Sequence, residues 1–134
     1  MKGLRRKPTD AELAILTVLW SRGPSTVRQI AEEMGREAGY TTILKLLQIM
    51  TEKRLVVRDE GARTHIYAAA HTQDQTQRQL VTDLLDRAFA GSAAKLVLQA
   101  LATGKTSPED LAEIRKLLRG ASARANDDKP GGSR

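Results

Sequence analysis

The sequence contains no cysteine. Disulfides and thiolate metal centres are therefore excluded. Aromatic residues make up only 3% of the chain, as Trp20, Tyr40, Tyr67 and Phe89. So few rings argue against a stacking platform for single-stranded bases. Long hydrophobic runs are missing too. No run reaches the ~18 apolar residues of a spanning helix, and no early stretch joins a basic flank to an apolar run of signal-peptide length. We expect a soluble, cytoplasmic protein. The two histidines, His65 and His71, fall on a strand and a loop, in no metal-ligand spacing. Serine, histidine and aspartate occur without a nucleophile elbow, and no glycine-rich phosphate loop follows a strand. The acidic pairs Glu32-Glu33, Asp59-Glu60 and Glu109-Asp110 read as helix or turn surface. Nothing here makes a case for an enzyme, and no cofactor or metal is expected.

What is present is 134 residues, 40% of them apolar, with a net charge of +6. That length suits one compact domain or two very small ones. The positive excess lies mainly in the first half of the chain, which favours a polyanionic partner without naming one.

The order of elements is more informative than any single motif. "MKGLRRKP" (residues 1–8) is a basic arm. "TDAELAILTVLWSRGP" opens with a capping box of Thr9 and Glu12, carries a wide apolar face, and stops at Gly23-Pro24. "STVRQIAEEMG" is a second helix, with Ser25 as the expected N-cap and Gly35 as the stop. "REAG" is a loop. In "YTTILKLLQIMTEKRLV", Ile43, Leu46, Leu47 and Met50 fill the i, i+3, i+4, i+7 template. Thr41, Lys45, Gln48 and Glu52 lie opposite, within an arc of roughly 60° at 100° per residue. One face of this helix, about residues 41–53, meets a core. The other carries a line of hydrogen-bonding side chains. Leu55-Val56-Val57 and the alternation from Thr64 to Ala69 then form a hairpin around a turn at Glu60-Gly61-Ala62, with Arg58 and Arg63 flanking its tip. Three helices and a hairpin within about 60 residues is the order of a winged helix-turn-helix.

The second half is helical throughout. Leu80, Val81, Leu84, Leu85 and Ala88 share one face ahead of Phe89. From Ala93 to Ala102 the polar face shrinks to Lys95 and Gln99, so that Leu96, Val97, Ala100 and Leu101 need cover on several sides. Ser107-Pro108 restarts a helix bearing Leu111, Ile114, Leu117 and Leu118, which Gly120 closes. Three short helices cannot easily enclose the 93–102 segment. A second copy supplies the missing cover, so a homodimer through residues 73–119 is preferred. The expected fold is mainly α with a small β-hairpin wing. A winged helix-turn-helix domain at residues 9–71 precedes a helical dimerisation domain at 72–120, and the tail at 121–134 is expected to be disordered.

The marks "PTDAELAILTVLW", "YTTILKLLQIMTEKRLVVR", "GARTHIY" and "FAGSAAKLV", in that order over roughly residues 7–119, resemble the penicillinase-repressor family of bacterial regulators (BlaI/MecI/CopY type). The resemblance implies a homodimeric repressor that reads a palindromic operator in double-stranded DNA. It places recognition-helix contacts at Thr41, Thr42 and Lys45, with Tyr40 at the helix entrance, and a wing contact at Arg63. Gln48 joins them from the stripe on that helix, and Arg28 on the second helix as a candidate phosphate contact. Thr41 reads equally as an N-cap, Tyr40 as a packing residue, and Arg28, Arg58 and Arg63 as plain surface charge. The dimer would be built by Leu80, Leu84, Leu85, Phe89, Leu96, Val97, Ala100, Leu101, Leu111, Ile114 and Leu118. Two departures stand out. The copper-responsive branch carries a Cys-rich motif, which this sequence lacks. The β-lactam branch is relieved by cleavage at an Asn-Phe pair, whereas the corresponding stretch here reads "AKLVLQALATGK". A regulatory protease is therefore retained as a partner only through the resemblance. A small ligand between the domains, and a winged-helix module that binds a partner regulator instead of DNA, are the other readings the sequence leaves open.

Overall fold

Most helices of this protein begin at a side-chain hydroxyl. In the computed structural model, which describes residues 7–35, 39–61 and 63–128, the pattern Thr-x-x-Glu/Gln opens three of them. Thr9 caps α1 (Asp10–Arg22) and forms a reciprocal box with Glu12. Thr26 does the same with Gln29 for α2 (Val27–Met34). Thr72 and Gln75 repeat it ahead of α4 (Gln73–Ala88). Ser92 caps α5 (Ala93–Ala102), and Ser107 accepts from the Asp110 amide at the start of α6 (Pro108–Asp128). Each hydroxyl satisfies an amide that the helix itself leaves without a partner. The helix α3 (Tyr40–Glu52) is different: its N-cap is Gly39, which has no side chain to offer.

The chain divides into two compact units, Met1–Ala88 and Phe89–Arg134. The first contains α1, α2, α3, the antiparallel pair β1 (Val56–Asp59) and β2 (Ile66–Ala69), and α4. Its core is one cluster: Ile15, Leu16 and Leu19 from α1, Val27 and Ile30 from α2, Ile43, Leu47 and Met50 from α3, Val56 from β1 and Tyr67 from β2. The hairpin pairs Val56 with Ala69 and Arg58 with Tyr67. Tyr67 also bridges to Ser25 in the α1–α2 connection, through amide-to-carbonyl bonds of 2.8 and 2.9 Å. Thus β2 is held on both edges, and the wing is tied to the helix-turn-helix by backbone as well as by the buried tyrosine ring. This is the winged helix-turn-helix arrangement expected from the order of elements.

Two devices fix α3. Its C-terminal end is a Schellman motif: the Leu55 amide bonds the Met50 carbonyl at 2.9 Å and the Arg54 amide bonds that of Thr51 at 3.1 Å. The motif needs a left-handed residue, and here Arg54 takes that role at φ 65°. Beside it, Lys53 reaches back to Glu12, with Nζ 2.9 and 3.1 Å from the two carboxylate oxygens. Glu12 is 2% exposed and Lys53 keeps only part of its side chain in water. One carboxylate therefore caps α1 and anchors the end of α3.

The boundaries depart from the sequence expectation in four places. Ser25 is not the N-cap of α2. Its hydroxyl donates to the Gly23 carbonyl at 2.8 Å inside the buried turn, and the neighbouring Thr26, with Gln29 three residues on, takes the cap. The strand β2 starts at Ile66, because Thr64 and His65 belong to the hairpin loop. The unit break falls between Ala88 and Phe89, beyond the boundary expected at 71/72. Lys7 stands 3.9 Å from Asp83 and Thr76 is buried, which ties α4 into the first unit, and Ala90 and Gly91 then turn the chain with φ of 49° and 80°. Finally, Gly120 does not close α6, which continues to Asp128. A glycine costs a helix interior roughly 1 kcal/mol relative to alanine, and Ala121, Ala123 and Arg124 beyond it favour continuation. The basic arm up to Arg6, the centre of the "REAG" loop (36–38), the turn residue Ala62 and the tail from Lys129 lie outside the described residues.

Two stability measurements follow from these contacts. Lys53→Met leaves the Glu12 carboxylate buried without its cation and should lower the unfolding free energy by about 2 kcal/mol in urea titrations, less than a fully buried pair because Lys53 is partly solvated. Replacing both at once, Glu12→Leu with Lys53→Met, should recover part of that loss. Arg54→Gly relieves the left-handed arginine and should raise stability by up to about 1 kcal/mol.

Candidate nucleic-acid interface

The core side of α3 is sealed, so its opposite side must face out. Ile43, Leu47 and Met50 are fully buried, while Thr41, Thr42, Lys45, Gln48 and Glu52 are all exposed. The helical pattern expected this division, and the structure leaves Thr41, Lys45 and Gln48 exposed along one stripe, with Thr42 exposed beside it. Thr41 is the second residue of the helix and not its N-cap, since Gly39 holds that position. Its hydroxyl is not consumed in capping α3. At this end the helix offers backbone amides, the positive end of its dipole and two threonine hydroxyls in consecutive positions. Such a terminus suits an anion, and a helix of 13 residues is long enough to enter a major groove.

Tyr40 and Arg28 come together although they lie on different helices. Both line an open depression of about 690 Å³ between α2 and the start of α3, with Ala31, Glu32 and Gly35. Tyr40 is 52% exposed, so it is not a core-packing residue. Arg28 projects from the outer side of α2, whose inner residues Val27 and Ile30 are buried. The pair adds a cation and a phenol beside the helix terminus.

The wing is divided in its charge. Arg58 pairs with Glu60 across the start of the loop. Hydrogen bonding by the Tyr67 side chain and then by Glu60 raises its pKa above the ordinary arginine value. Its charge is thus partly satisfied within the hairpin. Arg63 stands exposed on the loop. Asp59 turns inward on the chain, accepting the Gly61 amide at 2.8 Å. Among the described residues no group of three or more histidines and carboxylates is placed to hold a metal. Nor, among those residues, is any helix long and apolar enough to cross a membrane.

Sequence reasoning missed four residues that shape this surface. Lys53 and Glu12 lie 41 positions apart, and no local pattern joins them. Arg54 does not announce a left-handed conformation, because glycine is the usual occupant there. Ile49 is different: it is legible on the helical wheel, at about 40° from Lys45, but an apolar side chain gives no hydrogen-bonding signal there.

The profile of the penicillinase-repressor family matches residues 8–120. The transcriptional regulator BlaI of Mycobacterium tuberculosis, in two strains, is 39% identical to this chain over 82 residues. That match spans 59% of this chain and 59% of the relative. A solved structure described as the complex structure of hsRosR-S4 aligns over 90% of this chain and 94% of its own, at 20% identity and a TM-score of 0.49.

Because the α3 stripe lies outside the core, Lys45→Ala and Gln48→Ala should each change unfolding free energy by no more than about 0.5 kcal/mol. Denaturant titration checks this and separates any binding defect from a folding defect.

Proposed function

The chain belongs to the penicillinase-repressor family, and from that premise we propose that it is a homodimeric, DNA-binding transcriptional repressor that reads a palindromic operator. The family is one of regulators and not of enzymes. The observation that carries the reading is the division of α3. Three fully buried side chains bolt one face to the core, and the other presents Thr41, Thr42, Lys45 and Gln48 from a terminus that lacks a side-chain cap.

The mechanism is built from these parts. The free amides of α3, with the Thr41 and Thr42 hydroxyls, hold a backbone phosphate and seat the helix. Lys45 and Gln48 then lie against base edges. Lysine matches guanine O6 and N7, and glutamine matches adenine N6 and N7, each good contact discriminating by roughly 1–3 kcal/mol. Arg28 and Tyr40 on one side and Arg63 on the wing address the flanking phosphates. Glu52, at the far end of the stripe, sits towards the rim of the groove.

One domain makes too few base contacts for operator affinity, so two must act together. The second unit supports this. No residue of α5 is buried, and Leu98, Leu117 and Leu118 are 65%, 65% and 59% exposed. On α4, Val81 and Leu84 are exposed as well. Apolar helices left bare in a single chain call for a partner, and a second copy provides it symmetrically. The dimer would set two recognition helices ~34–36 Å apart, or a multiple of that, on one face of a duplex. Weakening the dimer would then loosen DNA, because each half-site raises the effective concentration of the other. Derepression by a regulatory protease acting on this half of the chain is compatible with that linkage.

Footprinting on DNA upstream of the protein's own coding sequence should give one discrete complex with palindromic protection. The logarithm of affinity should fall with the logarithm of salt at about −0.9 per phosphate neutralised; a shallow slope would favour the alternative of a module that holds a partner protein. Lys45→Ala and Gln48→Ala should lower the ratio of operator to random-DNA binding, whereas Arg63→Ala should weaken both equally. Leu118→Glu should shift sedimentation to the monomer and cost operator binding with it.

A further inference from the structure

The helix α3 sorts its apolar residues with one exception. Leu44 and Leu46 are half-buried against the core cluster, and Ile43, Leu47 and Met50 lie within it, whereas Ile49 is the exposed aliphatic residue of the helix. It is 39% exposed. Thr42, Lys45 and Ile49 follow one another at i, i+3 and i+7, so they form one column along the outer side of the helix. Gln48 is the next residue around. A β-branched aliphatic side chain therefore stands at the edge of the polar, hydrogen-bonding stripe, between Lys45 and the half-buried Leu46 and one turn beyond Lys45.

A major groove presents one apolar feature to such a side chain, the C5 methyl group of thymine. We propose that Ile49 is a specificity-determining residue that packs against a thymine methyl, beside the base edges met by Lys45 and Gln48. The proposal rests on the reading of α3 as the groove-reading helix. Lysine and glutamine can each satisfy more than one acceptor pattern. An isoleucine at this point adds what they lack, a preference for a methylated pyrimidine over cytosine, and it does so by desolvation instead of hydrogen bonding. Its stiff χ1 keeps the branched end in place before DNA arrives.

The test uses the full-length chain and a duplex that it selects itself from a random library. Each thymine of the selected site is replaced in turn by deoxyuridine, which differs only in the missing methyl. Wild-type protein should lose about fourfold in affinity at one thymine per half-site, the value of one buried methyl group. Ile49→Ala and Ile49→Asn should bind the thymine and deoxyuridine duplexes nearly alike at that position, while Ile49→Val retains the preference. Circular dichroism melts of each variant establish that it is folded. If wild type selects a discrete site but no substitution by deoxyuridine matters, or if the penalty persists in Ile49→Ala, the thymine contact is wrong and the repressor reading stands. The first of these results would also be expected if Ile49 were covered by a partner protein. If no site is selected at all, both readings fall.

Discussion

The Glu12 carboxylate serves two ends of the first unit at once. It accepts the Thr9 amide, completing the cap of α1, and it takes the Lys53 ammonium at the close of α3. A carboxylate this deeply buried is costly unless it is paired and both oxygens are hydrogen-bonded, and the contacts to Thr9 and Lys53 meet that demand. The consequence is geometric. The beginning of the first helix and the end of the third are held together, so the tilt of α3 is set by an ionic contact as well as by the apolar seam of Ile43, Leu47 and Met50. The exposed stripe on α3 inherits its direction from that arrangement.

Hydrogen-bond satisfaction separates the scaffold from the surface. Hydroxyl caps close the other five helices. At α3 the cap position is a glycine, and the hydroxyls of Thr41 and Thr42 come after it, inside the helix. A local departure from good capping is what a ligand-facing terminus requires, since an amide already bonded to a side chain has little left for a phosphate. The wing shows the reverse economy. Arg58 is engaged by its own hairpin and supports the Tyr67 neighbourhood, while Arg63 is carried out on the loop. The Ser25–Tyr67 bridge ties that hairpin to the turn between the first two helices, so the wing is part of the fold and not an appendage.

The second unit follows different physics. Its helices are well started and amphipathic, yet α5 has no buried residue and α6 leaves two adjacent leucines open to water. The first unit closes its own core with ten apolar residues from three helices and two strands. This contrast supports a division in which one unit is complete in a single chain and the other reaches completion by pairing. Stability, dimerisation and DNA affinity would then be linked quantities in this protein.

The sequence by itself determined the order of helices and hairpin, the capping boxes at Thr9 and the apolar seam of α3, because these depend on contacts within about seven residues and on periodicities that are visible in one dimension. It determined, too, which residues of α3 face away from the core. Only the tertiary structure decided the rest. The Glu12–Lys53 pair joins residues far apart in the chain. The Ser25–Tyr67 bridge turns a candidate N-cap into a buried backbone partner. Arg54 adopts a left-handed conformation because a Schellman motif, closed by packing of Leu55 on the core, demands it there. In each case the deciding term is a long-range contact, and a one-dimensional pattern does not encode which distant group will arrive to make it.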